Sequence, residues 1–144
     1  MDTFLGEHPH SLDAKGRLIL PAKFRAALEG GAVIGIGKRG CLAVYTPTEW
    51  ERVAEAAQQM ARESDDNIPA TRAFLALAQQ VVPDKQGRVA IAPQLREFAN
   101  LDKDVVVTGA LNRIEIWDAA RWQEERSVGE AILAGPSSPS GLGM

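Results

Sequence analysis

The feature that most constrains this chain is an internal repeat. Residues 13 to 25 read Asp-Ala-Lys-Gly-Arg-Leu-Ile-Leu-Pro-Ala-Lys-Phe-Arg, and residues 84 to 96 read Asp-Lys-Gln-Gly-Arg-Val-Ala-Ile-Ala-Pro-Gln-Leu-Arg. At an offset of 71, Asp13, Gly16, Arg17 and Arg25 fall on Asp84, Gly87, Arg88 and Arg96. After one residue of slippage the match resumes: Cys41 to Tyr45 aligns with Arg113 to Trp117, and Trp50 with Trp122. In 144 residues, two copies of one unit leave room for little else, and a repeat sets architecture before local propensity does.

Each unit reads physically as a turn, a short strand and a hairpin. In Asp-x-x-Gly-Arg the Asp side chain can bond backbone two residues on, and Gly supplies the positive φ that launches strands at 17 to 20 and 88 to 91. Pro21 and Pro93 stop those strands, and residues 22 to 28 and 94 to 99 have room for one or two helical turns. The apolar runs 32 to 36 and 105 to 108, each followed by an alternating run at 41 to 45 and 113 to 117, predict a second hairpin per unit. Thr46-Pro47-Thr48-Glu49 carries an N-cap, a first-turn Pro and an N3 Glu, which starts a helix over 47 to 63; Asp118 caps its counterpart. A further helix over 70 to 79 is expected to join the copies, and the Gly-, Pro- and Ser-rich tail 135–144 is expected to be disordered.

Composition excludes several classes of function. Hydrophobic residues at 45% and charged residues at 24% describe a folded soluble chain and fit neither collagen nor a coiled coil. A net charge of −3 announces no global nucleic-acid partner, so any basic surface must be local. Residues 13 to 39 hold six cations against two carboxylates, a net of +4, whereas residues 84 to 113 hold five against four, a net of +1. This makes the first copy the expected better phosphate partner. The single cysteine, Cys41, forms no internal disulfide and suits a reducing compartment. The N-terminus lacks the basic and apolar regions of a signal peptide, and no run approaches the ~18 apolar residues of a spanning helix, so a cytoplasmic location is expected.

Four other motifs fall away on their physical requirements. Gly35-Ile-Gly37-Lys-Arg-Gly40 matches a dinucleotide fingerprint in letters, but a strand follows where a helix must open, so it reads as a hairpin loop. His8-Pro9-His10 finds no further His and only one Cys to complete a metal site. His10, Ser11 and Asp13 lack the nucleophile elbow and oxyanion turn of a hydrolase. Tyr45, Trp50, Trp117 and Trp122 could stack bases, yet their places at a strand end and in a first helical turn favour packing of helix against sheet. No enzyme, cofactor or metal is expected. The spaced apolar positions Val53, Ala54, Ala57, Met60 and Ala61 give the first long helix a face for intramolecular or subunit packing.

The tandem motif, Leu12-Asp13-Ala14-Lys15-Gly16-Arg17-Leu18 with its copy at Asp84 to Arg88, together with the segments Tyr45 to Trp50 and Trp117 to Trp122, resembles the MraZ family over residues 4 to about 126. These are bacterial transcriptional regulators named for the start of the division and cell-wall gene cluster. The resemblance implies a mainly β fold with flanking helices (α+β), in which two SpoVT/AbrB-like swapped-hairpin units form one pseudo-dimeric, double-ψ-like β-barrel. The units would occupy 5–47 and 76–119, with a helical connector at 48–75 and a C-terminal helix at 120–134. It also implies a homo-oligomeric ring, an octamer in the family, bound to short direct repeats in promoter DNA at the nucleoid. The family's DNA-binding Arg carries over to Arg17 and Arg88. Around it, Lys15 is expected to reach base edges or phosphates and Lys23 and Arg25 to grip the DNA backbone, with Arg96 a further DNA-binding residue. Asp13, Gly16, Asp84 and Gly87 are expected to orient the loops. Because Lys15 and Lys23 become Gln86 and Gln94, the first copy is expected to carry more of the binding. The alternative is a ring that binds another protein, with DNA incidental.

Overall fold

The computed structural model describes residues 3–136, so all but the first two residues of the expected tail, 135–144, lie outside the described residues. The first copy runs β1 (Glu7–Ser11), β2 (Arg17–Ile19), α1 (Ala22–Leu28), β3 (Ala32–Ile36), β4 (Leu42–Tyr45) and α2 (Pro47–Glu63). After α3 (Ile68–Leu77) the second repeats the order as β5 (Gln79–Val81), β6 (Arg88–Ala90), α4 (Pro93–Phe98), β7 (Asp104–Gly109), β8 (Ile114–Asp118) and α5 (Ala119–Ala134). The long helices start as their caps dictate. Thr46 Oγ1 accepts from the Glu49 amide at 3.2 Å with Pro47 in the first turn, and Asp118 accepts from the Arg121 amide at 3.1 Å.

The result is a mixed α/β fold whose sheets are antiparallel throughout. Six strands run in the order β1-β7-β8-β4-β3-β5, and β2 pairs with β6 in a separate ribbon. Exchanging the copies leaves that order unchanged. β1 of the first copy pairs with β7 of the second, from Glu7 opposite Thr108 to Ser11 opposite Asp104, while β5 of the second pairs with β3 of the first. Each copy's opening strand therefore completes the other's hairpin. Pro9, which lacks an amide hydrogen, is tolerated in β1 because β1 is an edge strand.

The expected closed barrel is not what the hydrogen bonds form. The larger sheet keeps two edges, β1 and β5, and among the described residues the ladder from β1 to the β2–β6 ribbon is a single bridge, between Leu12, just past β1, and Leu18. The reason is length: β2 and β6 have three residues each and spend one edge on each other. Side chains join the two layers instead, with Leu18, Leu20, Val89 and Ile91 in one core with Ile34, Val44, Val107 and Ile116. The connecting helix also differs from expectation. It starts at Ile68, since Pro69 is acceptable in a first turn, and stops at Leu77 because residues 79 to 81 pair with the open edge of β3.

The aromatic residues pack helices onto the sheet. Tyr45 and Trp117 are buried; Trp50 lies 5.7 Å from Tyr45 and stacks at 5.6 Å on Phe74 of α3, and Trp122 lies 5.5 Å from Trp117. Gly35 to Gly40 cover the end of β3 and a tight loop, closed by Gly37 N donating to the Cys41 carbonyl at 2.8 Å, and β4 follows directly.

Candidate nucleic-acid interface

The two Asp-x-x-Gly-Arg loops adopt one geometry. Asp13 Oδ1 accepts from the amides of Lys15 and Arg17, both at 2.9 Å, and Oδ2 accepts from Arg17 Nε at 2.6 Å. Asp84 repeats this with the amides of Gln86 and Arg88 at 2.9 Å and with Arg88 Nε at 2.8 Å. Gly16 and Gly87 turn the chain at φ of 74° and 79°. Backbone donation from Arg17 is the main influence holding the Asp13 carboxyl below its ordinary value, and backbone donation from Arg88 does the same for Asp84. A lowered native value means that the ionised loop contributes stability above the unfolded value of 3.8 and loses it as pH falls through the native one. Both carboxyls should therefore titrate below 3.8 in an NMR pH series; a titration at or above it would show that the loops are not held this way.

The ribbon aims both arginines the same way. Strand side chains alternate, so Leu18 and Val89 point into the core, at 0% and 3% exposure, while Arg17, Ile19, Arg88 and Ala90 share the outer face. Arg17 sits opposite Ala90 and Arg88 opposite Ile19, so the two Arg backbone positions lie two residues apart along the ribbon, about 7 Å in strand rise. Each Arg is anchored through Nε by its own Asp, and the side chains remain 33% and 29% exposed. Among the described residues the outer guanidinium nitrogens of the two arginines make no protein hydrogen bond. An anchored guanidinium is a planar fork suited to a phosphate or a guanine edge.

Strand exchange also regroups the cations. Arg25 of α1 lies over Gly87, where an added Cβ would come within 2.8 Å of its Cδ and 2.9 Å of its Cζ. Arg96 of α4 lies over Gly16 in the same way, 2.6 Å from an added Cβ to its Cζ. Each loop thus receives an arginine from the other copy, Arg96 at the Asp13 loop and Arg25 at the Asp84 loop, and the Asp13 loop also shares a cavity with Asp102 and Lys103. The loss of Lys15 at Gln86 is offset one position earlier, where Lys85 stands in place of Ala14. The charge around each loop is therefore not the charge counted along its own segment. Lys23 points elsewhere, its Nζ 5.5 Å from the Phe24 ring centre and near His8 and Gly6.

Other chemistry is sparse. His8 and His10 share a face of β1, and burial is the main cause pushing the His10 pKa down. Among the described residues no cluster of His, Cys, Asp and Glu could hold a metal ion. Cys41 is buried, its thiol pushed up to about 12 chiefly by burial, which makes it a poor nucleophile. A groove of about 640 Å³ between α2 and α3 is lined by Val53, Ala57, Met60 and Phe74, with Glu49 and Arg113 toward one end. No described helix is long and apolar enough to cross a membrane.

Similarity to known proteins agrees with the motif. The sequence model of the MraZ protein family matches residues 3–72 and 74–128. The chain belongs to the MraZ family. Among its MraZ relatives are proteins of Salinispora arenicola, 48% identical over 83% of this chain and 84% of the relative, and Clavibacter michiganensis subsp. michiganensis, 44% identical over 91% and 92%. The MraZ protein of a Parafrankia species is 44% identical over 92% of this chain and 98% of its own. Each of the three is named a transcriptional regulator.

Proposed function

We propose that this protein is a sequence-specific, DNA-binding transcriptional regulator, acting on short direct repeats in the promoter of its own division and cell-wall gene cluster. The observation that carries the reading is the outer face of the β2–β6 ribbon, with Arg17 and Arg88 anchored by Asp13 and Asp84. A major groove about 12 Å wide admits a two-stranded ribbon, and an Arg fork there can grip O6 and N7 of guanine. Lys15 and Lys85 flank the ribbon for phosphates, Lys23 adds charge near the start of β1, away from the ribbon, and Arg25 and Arg96 lie over the glycines of the opposite loops. The relatives' names as transcriptional regulators support the same reading, and with it a place of action in the cytoplasm, at the nucleoid. We read the fold as two swapped-hairpin units in one pseudo-dimer, a reading supported by the strand order that survives exchange of the copies.

The test is a mobility-shift titration against DNA from upstream of the protein's own gene. Neutralising phosphates releases counterions, so raising salt from about 50 to 200 mM should weaken binding about tenfold for two contacts per ribbon, and more with each further contact. A flat salt response would remove the DNA reading and favour the protein-interaction ring.

One ribbon per chain offers few contacts, so the regulator assembles into a homo-oligomeric ring, an octamer by family resemblance. Two apolar surfaces support this assembly: the α2–α3 groove, and the exposed C-terminal half of α5, where Val128, Ile132 and Leu133 are 53%, 45% and 48% exposed. Unlike surfaces that meet head to tail generate rings when the rotation closes. Light scattering should return a mass several times 15.5 kDa, reduced by Ile132→Glu; a monomer at micromolar concentration would exclude the ring.

A further inference from the structure

The repeat retains an arginine eight residues after the motif Arg in both copies, and nothing in turn formation requires it. The structure shows where each one goes. Arg25 Nε donates to the Leu20 carbonyl at 3.0 Å, and its guanidinium then lies across Gly87 of the other copy. The Gly87 carbonyl accepts from the Leu20 amide at 2.9 Å, so the exit of β2 and the arginine that follows it hold the same glycine from two sides. The mirror set is equally complete: Arg96 Nε donates to the Ile91 carbonyl at 3.0 Å, Arg96 lies across Gly16, and the Ile91 amide donates to the Gly16 carbonyl at 3.0 Å.

We infer that Arg25 and Arg96 are positioning residues that latch the opposite copy's recognition loop, and do not themselves grip DNA. Each motif loop is held by two devices of different origin. Its own Asp fixes the amides and the motif Arg, while the other copy's arginine covers its glycine, a position with no side chain of its own to brace it. The glycine has a second reason to be glycine here, because a Cβ would occupy the latch's space. The two loops are therefore set in register with each other through α1 and α4, which matters for a ribbon whose two Arg forks must meet one stretch of DNA together. The latch can be read in the free protein. Its effect on DNA rests on the function proposed above.

The discriminating measurement is hydrogen exchange in the full-length protein without DNA, resolved at the two loops. Arg25→Ala should speed exchange at Gln86 and Arg88 by about tenfold or more, as expected when a charge-assisted contact holding a local closed state is lost, and should leave Lys15 and Arg17 unchanged. Arg96→Ala should do the reverse. Arg25→Lys keeps the charge and most of the stem but not the planar fork, so it should reproduce the Arg25→Ala pattern and guards against misfolding of the alanine variant. Acceleration confined to the mutated arginine's own loop, equal acceleration in both loops and the core strands, or no change in any variant would overturn the latch. With DNA present, loss of the latch should lower affinity while leaving the salt slope in place. A slope reduced by about one for Arg25→Ala and restored by Arg25→Lys, with quiet exchange at Gln86 and Arg88, would make Arg25 a phosphate contact instead.

Discussion

Arg17→Ala and Arg88→Ala should each nearly abolish operator binding, and to a similar extent. Removing one base- or phosphate-gripping Arg costs about 1 to 3 kcal/mol per site, and the loss compounds wherever several ribbons engage one stretch of DNA. Equality is expected from the spatial grouping: both forks are anchored by the same Asp geometry, and each loop has one Lys within its turn and one Arg from the other copy. Arg17→Lys should rescue little, because a point charge cannot reproduce a planar fork held at Nε. The measurement is a pair of mobility-shift titrations on variants whose circular dichroism matches the parent. A Kd raised much more by Arg17→Ala than by Arg88→Ala would restore the ranking of the copies by charge along the sequence.

That ranking shows where sequence reading stops. The loops were legible in detail: Asp13 and Asp84 bond the backbone two residues on, Gly16 and Gly87 take positive φ, and Thr46 and Asp118 cap their helices. These are local interactions, decided within five residues, and residue types state them directly. Partner choice between strands is not local. Nothing in Glu7 to Ser11 says that it pairs with residues 104 to 108 of the other copy, and that exchange carries Arg25 to Gly87 and Arg96 to Gly16. Charges summed along segments therefore leave out the arginine that each loop receives from the other copy. Residues 79 to 81 were hidden for the same reason: Gln79-Gln80-Val81 has weak strand character and is extended because β3 offers an unpaired edge. Gln79 then locks the register, its side chain donating to the Ala90 carbonyl at 2.8 Å and accepting from the Ala92 amide at 2.9 Å. The first copy cannot build this clamp, since the position equivalent to Ala92 is Pro21, which has no amide hydrogen.

The largest expected effect on stability lies outside both loops, at Gly109. The N-terminal segment crosses the end of β7 there: Phe4 N donates to the Leu111 carbonyl at 2.7 Å, Leu111 N to the Phe4 carbonyl at 2.9 Å, and Gly109 N to the Gly6 carbonyl at 2.8 Å. A Cβ on Gly109 would collide with the main chain of Phe4 and Leu5, and main chain cannot swing aside as a side-chain tip can. Relief requires lifting Phe4, which is 2% exposed and packs edge-on against Phe24 at 5.3 Å between ring centres. Emptying a buried Phe site costs about 3 to 5 kcal/mol, and partial relaxation brings the expected loss for Gly109→Ala to about 3 kcal/mol. For a domain of this size that is a fall in Tm of about 10 °C. Gly30→Ala is the matched control, because an added Cβ there meets nothing within 4 Å and the backbone is not left-handed. Thermal melts of the two variants should separate widely. A Gly109→Ala melt within a degree or two of the Gly30→Ala melt would show that the Phe4 segment does not hold the position described.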